Sequence, residues 1–226
     1  WTNRLKSIEP TSEFSIRKEG PWVLASRGRL EGSADWTHQY ANPGNTATTE
    51  DRVVKGGLGV LWYGDPGPGK MVNRHEGAVA PLAVDGRLIV QGEDSVMAYD
   101  AYNGAFLWER KNPESIRTGV FKNERPGNLV AGAGKVFVIV REKCLQLDAA
   151  TGAIEAELSL PEAKGDKYQW GYLAFQDGLL FGTATVREEI ERQLRRRGKA
   201  ANDSTDAIFA IDVATGQEVW TYAGQN

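Results

Sequence analysis

Asn73, Arg74, His75 and Glu76 are the best polar cluster in this 226-residue sequence. An arginine grips a carboxylate through two parallel N–H donors. A histidine or glutamate beside it supplies a base near neutral pH. The same four residues also suit a polar loop, and geometry alone separates the two readings. Glu93 and Asp94 set two carboxylates side by side. That is a beginning for a Ca²⁺ site, but a hard cation wants about six to eight oxygens, so a solvated turn is the plainer reading. Arg117, Lys122 and Arg125 surround Phe121 and offer an anion-binding rim or a solvated loop. Trp170 offers a flat face to a planar ligand, against which stands the commoner use of aromatic rings in cores. His38 lies in a turn-rich stretch, where its ring nitrogens can fix the loop by hydrogen bonds.

Other chemistry is not supported. GDPGPGK (64–70) ends in lysine but Met71 follows, and two prolines remove N–H donors, so it reads as a loop and not a phosphate cradle. There is no G-x-S-x-G elbow and no H-E-x-x-H. The single cysteine, Cys144, excludes an intrachain disulfide and a multi-cysteine zinc site, and its strand-like setting predicts a buried, inert thiol. A formal net charge of -3 gives no global drive toward nucleic acid. The Arg195-Arg196-Arg197 run suits a solvated helix end better than a nucleic-acid or lipid site. No stretch approaches the ~20 apolar residues of a membrane span. The sequence opens at Trp1, which reads as a mature chain or a fragment, and its compartment is not legible directly.

These residues hang on a repeated phrase. MAYDAYNGAFLWER (97–110), LQLDAATGAIEAEL (145–158) and FAIDVATGQEVWTY (209–222) each run from apolar residues through Asp, Thr or Asn, and Gly to a second apolar run. The Asp accepts N–H groups of the turn and the Gly supplies a positive φ, so each phrase is a hairpin. Asp100 and Asp148 are 48 residues apart, and Asp148 and Asp212 are 64 apart. The second interval also becomes about 48 once about 16 residues of the charged segment 187–204 count as inserted, which is close to the blade length of propeller repeats. Upstream, Asp85-Gly86, Gly134 and Asp177-Gly178 mark another hairpin in each repeat.

Four short strands per repeat make one propeller blade. The predicted fold is all-β: a partial β-propeller with three full blades at about 77–110, 127–158 and 170–222, and part of a fourth. LGVLWY (58–63) reads as a lone fourth strand, so Trp62, Trp108 and Trp220 become equivalent wedges between blades, while Ala156 breaks the series. Paired Glu188–Arg192 and Glu191–Arg195 predict a short helix in 187–204, ending near Gly198 and inserted between the second and third strands of the third blade. Residues 1–34 form a separate N-terminal segment, mostly irregular over 1–20, with a hairpin at 21–32 turning at Arg27-Gly28. The repeats occupy 35–226.

The phrase A-x-D-x-x-T-G-x-x-x-W, with GAVAPLAVDGRLIV (77–90) before it and DWTHQYANPGNTATT (35–49) at its head, resembles the pyrroloquinoline-quinone (PQQ)-like propeller repeat. That repeat occurs in quinoprotein dehydrogenases and in BamB-type outer-membrane assembly lipoproteins. The resemblance covers 35–222 and is specific for fold more than for function. It implies a ring of about seven or eight blades, so three blades need either further blades or association of chains. Of the two functions it implies, a binding or scaffolding propeller of the bacterial cell envelope stands first, exported or periplasmic and partnered by an envelope protein, by the remainder of the ring or by itself. The alternative is a PQQ-dependent alcohol-dehydrogenase-type domain with Ca²⁺, in which Arg74 would meet a quinone oxygen. That family's adjacent-cysteine disulfide is impossible here, which favours the scaffold.

Overall fold

The computed structural model describes residues 3–4, 7, 14–64, 70, 79–92, 94–113, 129–161, 168–186, 188–199 and 205–224. They fall into two compact units, residues 1–34 with 50–59, and residues 35–49 with 60–226.

In the first unit, β1 (Phe14–Glu19) pairs antiparallel with β2 (Trp22–Arg27), in register from Phe14 opposite Arg27 to Glu19 opposite Trp22. The turn is Gly20-Pro21, with Gly20 at φ 57°. The hairpin expected at 21–32 is therefore displaced toward the N-terminus, and part of the segment expected to be irregular is strand. Gly at the first position of a two-residue loop sets the strand twist, and Arg27-Gly28 lies at the end of β2 and not at a turn. Asp51 closes a second loop by accepting the N–H groups of Ala34, Val53 and Val54.

The second unit holds three four-stranded antiparallel meanders, each in sequence order. The first blade is β3 (Leu82–Val84), β4 (Arg87–Gly92), β5 (Ser95–Asp100) and β6 (Phe106–Lys111). The second is β7 (Leu129–Gly132), β8 (Lys135–Val140), β9 (Lys143–Asp148) and β10 (Ile154–Leu158). The third is β11 (Tyr168–Gln176), β12 (Leu179–Val186), β13 (Thr205–Asp212) and β14 (Glu218–Ala223). Each blade opens on a tight turn with two successive positive φ values, Asp85-Gly86, Ala133-Gly134 and Asp177-Gly178. That is the geometry whose twist matches antiparallel strands. Each closes on the Asp turn. Asp148 Oδ1 accepts the N–H groups of Ala150 (3.1 Å) and Thr151 (2.8 Å), and Asp100 and Asp212 do the same. The two turns are laced together, because Ala101, Ala149 and Val213 donate their N–H to the carbonyls of Gly86, Gly134 and Gly178.

One apolar core lies between the first and second blades and joins Leu82, Ile89, Val96 and Trp108 to Leu129, Val136, Val138 and Leu147. Another, between the second and third, joins Val130, Phe137 and Cys144 to Leu173, Leu180, Phe209 and Ile211. The alternation of each strand thus serves both faces of its sheet, as stacked blades require. The inserted helix, α1 (Glu188–Arg196), stands between β12 and β13 as expected. It ends in a Schellman pair, Lys199 N–H to Leu194 and Gly198 N–H to Arg195, with Gly198 at φ 66°. LGVLWY (58–63) is not a strand. No described strand lies beside it to form a ladder, although Trp62 takes the place foreseen for it.

Candidate functional site

The blades are joined by tryptophans laid on glycines. Trp108, on β6, reaches the Asp turn of the second blade, where its Nε1 donates to the Ala149 carbonyl at 3.0 Å. Its ring lies so close to Gly152 that a Cβ there would sit 2.6 Å from Cδ2. Arg110 donates to the Gly152 carbonyl in the same seam. Trp62 repeats the contact one blade earlier, with Nε1 to the Ala101 carbonyl at 3.0 Å and its ring over Gly104. The turn glycine thus has two duties, a left-handed φ and a bare surface for an indole. The sequence signals the first; the second becomes visible only when neighbouring blades are paired.

The second seam differs. Ala156 and Leu158 stand where the first seam has Trp108 and Arg110. A Cβ on Gly216 would meet only Leu158 Cδ2, at 3.7 Å. The seam opens into a cavity of about 710 Å³ lined by Ala156, Leu158, Leu160, Ile211, Val213 and Gly216 among others.

A clamp runs across the first strands of all three blades. Trp36 exchanges backbone hydrogen bonds with Ala83 of β3, the Thr37 carbonyl accepts the Ala131 N–H of β7, and His38 Nε2 accepts the Phe175 N–H of β11 at 3.0 Å. Three consecutive residues therefore each hold a successive blade. His38 is buried, and loss of hydration pulls its pKa down to about 4, so the neutral ring is the one present near pH 7. Because Nε2 accepts, the proton of the neutral ring belongs on Nδ1, which lies 2.7 Å from Thr37 Oγ1. The sequence suggested that His38 fixes its own loop. Its reach to Phe175, 137 positions away, has no local signal.

The third blade presents a face equivalent to the one Trp108 occupies on the first. Trp220 stands opposite Ala210 and Phe181, as Trp108 stands opposite Ala98 and Ile89. On the first blade that face is covered by the second. On the third, Ile208, Trp220 and Tyr222 are exposed at 44%, 42% and 66%.

Asn73, Arg74, His75, Glu76, Glu93, Arg117, Lys122 and Arg125 lie outside the described residues. Asp94 is an exposed turn residue at φ 54°. Trp170 is 2% exposed, edge-on to Phe209 with ring centroids 5.1 Å apart, so its face belongs to the second core. Cys144 is buried, and burial pushes its thiol pKa up. Among the described residues no three His, Cys, Asp or Glu side chains come together to hold a metal. Nor is any helix among them long and apolar enough to cross a membrane.

The chain aligns with several solved structures. A quinohemoprotein alcohol dehydrogenase from Comamonas testosteroni is 17% identical, over 84% of this chain and 32% of that one, with a TM-score of 0.48. A europium-containing methanol dehydrogenase is 15% identical, over 65% and 32%, with a TM-score of 0.46. BamB from Moraxella catarrhalis is 15% identical, over 66% and 38%, with a TM-score of 0.42. The matches thus span about a third of the length of these structures. No curated protein sequence matches the chain. Residues 31–225 match the family described as outer membrane protein assembly factor BamB, and the chain, with its three blades of this repeat, belongs to that PQQ-like propeller family.

Proposed function

We propose that the chain is a protein-binding scaffold of the bacterial cell envelope, exported to the periplasm, and that it works through blade faces and not through a catalytic centre. The observation that carries this reading is the uncovered face of the third blade, where Trp220 and Ile208 are exposed although their first-blade counterparts, Trp108 and Val96, are buried against a neighbour, and Tyr222 is exposed beside them. Exposed apolar surface of this kind marks a contact with protein. Its partner is another blade, from the same ring or from a second chain, or an envelope protein that adds to the sheet edge. Membership of the BamB family supports the envelope setting.

PQQ with Ca²⁺, added at tens of micromolar, separates this reading from a quinoprotein dehydrogenase. The scaffold reading expects no bound quinone absorbance and no dye-linked alcohol oxidation. Saturable quinone binding with turnover overturns it in favour of the enzyme. For the partner face, sedimentation of the chain and of Trp220→Ser is the companion measurement. Association that weakens in the variant supports the face, and association indifferent to Trp220 removes it.

A further inference from the structure

The second seam is built to receive something it does not supply. At each of the two tryptophan contacts an indole lies on the turn glycine and donates to the carbonyl of the residue after the turn Asp, Ala101 or Ala149, at 3.0 Å. The third turn keeps the same glycine, Gly216 at φ 70°, and the same carbonyl position, Val213, but shares its cavity with Ala156, and a Cβ there would meet only Leu158 Cδ2, at 3.7 Å. The cavity left is about 710 Å³, inside the ~300–1,000 Å³ range of small-ligand sites. Its walls set Leu158, Leu160 and Ile211, which suit an apolar ring, beside the polar Glu157, Thr215 and Glu218. The segment after this seam, 162–167, reads EAKGDK and holds no aromatic residue, so it cannot supply the ring.

We propose that this seam is a binding site for an indole ring, supplied by a tryptophan side chain of a partner protein. The ring lies on Gly216 and donates its N–H to the Val213 carbonyl, as the chain's own tryptophans do at the other two turns. Ala156 is what makes the site: it empties the position that Trp108 fills. The site would be one contact of the scaffold proposed above. The test reads the seam alone, so its failure leaves the third-blade face and the PQQ result untouched.

Titrate the isotope-labelled chain with indole, 1-methylindole and N-acetyltryptophanamide, following the amides of Ala156, Val213 and Gly216 by NMR. Indole and N-acetyltryptophanamide should shift these amides saturably. 1-Methylindole lacks the N–H and should bind about fivefold more weakly, the loss of one ordinary hydrogen bond. Ala156→Trp should abolish the shifts and raise the melting temperature. Ala156→Met, which fills the void with a flexible chain, should weaken indole at least fivefold even where the larger residue is not accommodated. Four results overturn the proposal: no saturable shift at these amides, equal affinity for 1-methylindole, shifts that persist undiminished in the folded Ala156 variants, or binding of indole but not of N-acetyltryptophanamide.

Discussion

Trp108 and Arg110 close the seam between the first two blades, while Ala156 and Leu158 occupy the same positions between the second and third. The sheets on either side are built alike, with the same meander, the same Asp turn and a bulge in the same place on the fourth strand. One seam is filled and hydrogen-bonded, and the other leaves an open cleft. The blade is therefore set by the repeat as a whole, but the joint between blades is set by two residues. The largest test of that division is Trp108→Ala. It removes a ring that is 6% exposed and leaves the Ala149 carbonyl without its donor. A loss of about 4 kcal/mol is expected from urea unfolding, in the range for large aromatic truncations. Trp220→Ala, on the uncovered face, should change the stability of the isolated chain by no more than about 0.5 kcal/mol. Equal losses would mean that the exposed face is not an open seam.

The glycines sharpen the same contrast. Gly152→Ala puts a methyl group 2.6 Å from the Trp108 ring and also forces a left-handed alanine. Gly216→Ala carries the same backbone cost, at φ 70° against 67°, with nothing nearer than 3.7 Å. The first should cost about 3 kcal/mol and the second about 1, the residual left-handed penalty. Their difference isolates the indole contact, and identical losses would show that the tryptophan adapts freely.

The clamp at 36–38 ties all three blades regardless of how their seams are filled, and it has its own pH signature. In the unfolded chain His38 titrates near 6.5, and in the folded protein burial lowers that to about 4. Between these values the unfolded chain binds more protons, so stability is full above about pH 6.5 and falls as pH drops toward 4. A protonated Nε2 also cannot accept the Phe175 N–H. With allowance for solvent screening, the loss should reach roughly 2 kcal/mol. Urea midpoints at about pH 7.5 and pH 4.5 read it, and His38→Gln should flatten the difference. The turn carboxylates act lower on the scale. The Thr151 hydroxyl and the turn N–H groups hold Asp148 below its ordinary 3.8, and the Thr215 N–H and hydroxyl do so for Asp212. Their contribution is present above that value and fades only beneath it.

The blades were legible in the sequence because each is closed by short-range signals. The Asp turn and the paired positive-φ turn fix register within about fifteen residues, so three four-stranded antiparallel blades form as the repeat foresees. The helix in 188–196 was equally local, with its i,i+4 charges and its terminal Gly198. The N-terminal hairpin was misplaced because Arg27-Gly28 and Gly20-Pro21 both satisfy a turn rule, and pairing partners decide between them. LGVLWY has the composition of a strand but no described ladder partner. The site was harder to read. The polar run 73–76 is legible by residue type and lies outside the described residues, whereas the clamp and the seams depend on backbone groups, on His38 meeting Phe175 and on Trp108 meeting Gly152. No pattern within one blade announces them.

The smallest contrast lies within the blades, at the turn that opens each one. Asp85 and Asp177 take φ values of 47° and 51°, where a short polar side chain tolerates the left-handed region by bonding locally. Ala133 holds the same place in the second blade at φ 50° without that help. Ala133→Asp gives the second blade the residue its neighbours use, while the flanking Gly134 and the bond from Ala149 N–H to its carbonyl stay as they are. Ala133 is exposed, so the carboxylate reaches water. A gain of about 0.5 kcal/mol is expected from the relieved backbone, seen as a higher urea midpoint with an unchanged slope. The same exchange reversed, Asp85→Ala, should lose a similar amount. If Ala133→Asp destabilises instead, the second blade's turn is held by its surroundings and not by its own residues, and the division between self-sufficient blades and residue-set seams would have to be redrawn at that turn.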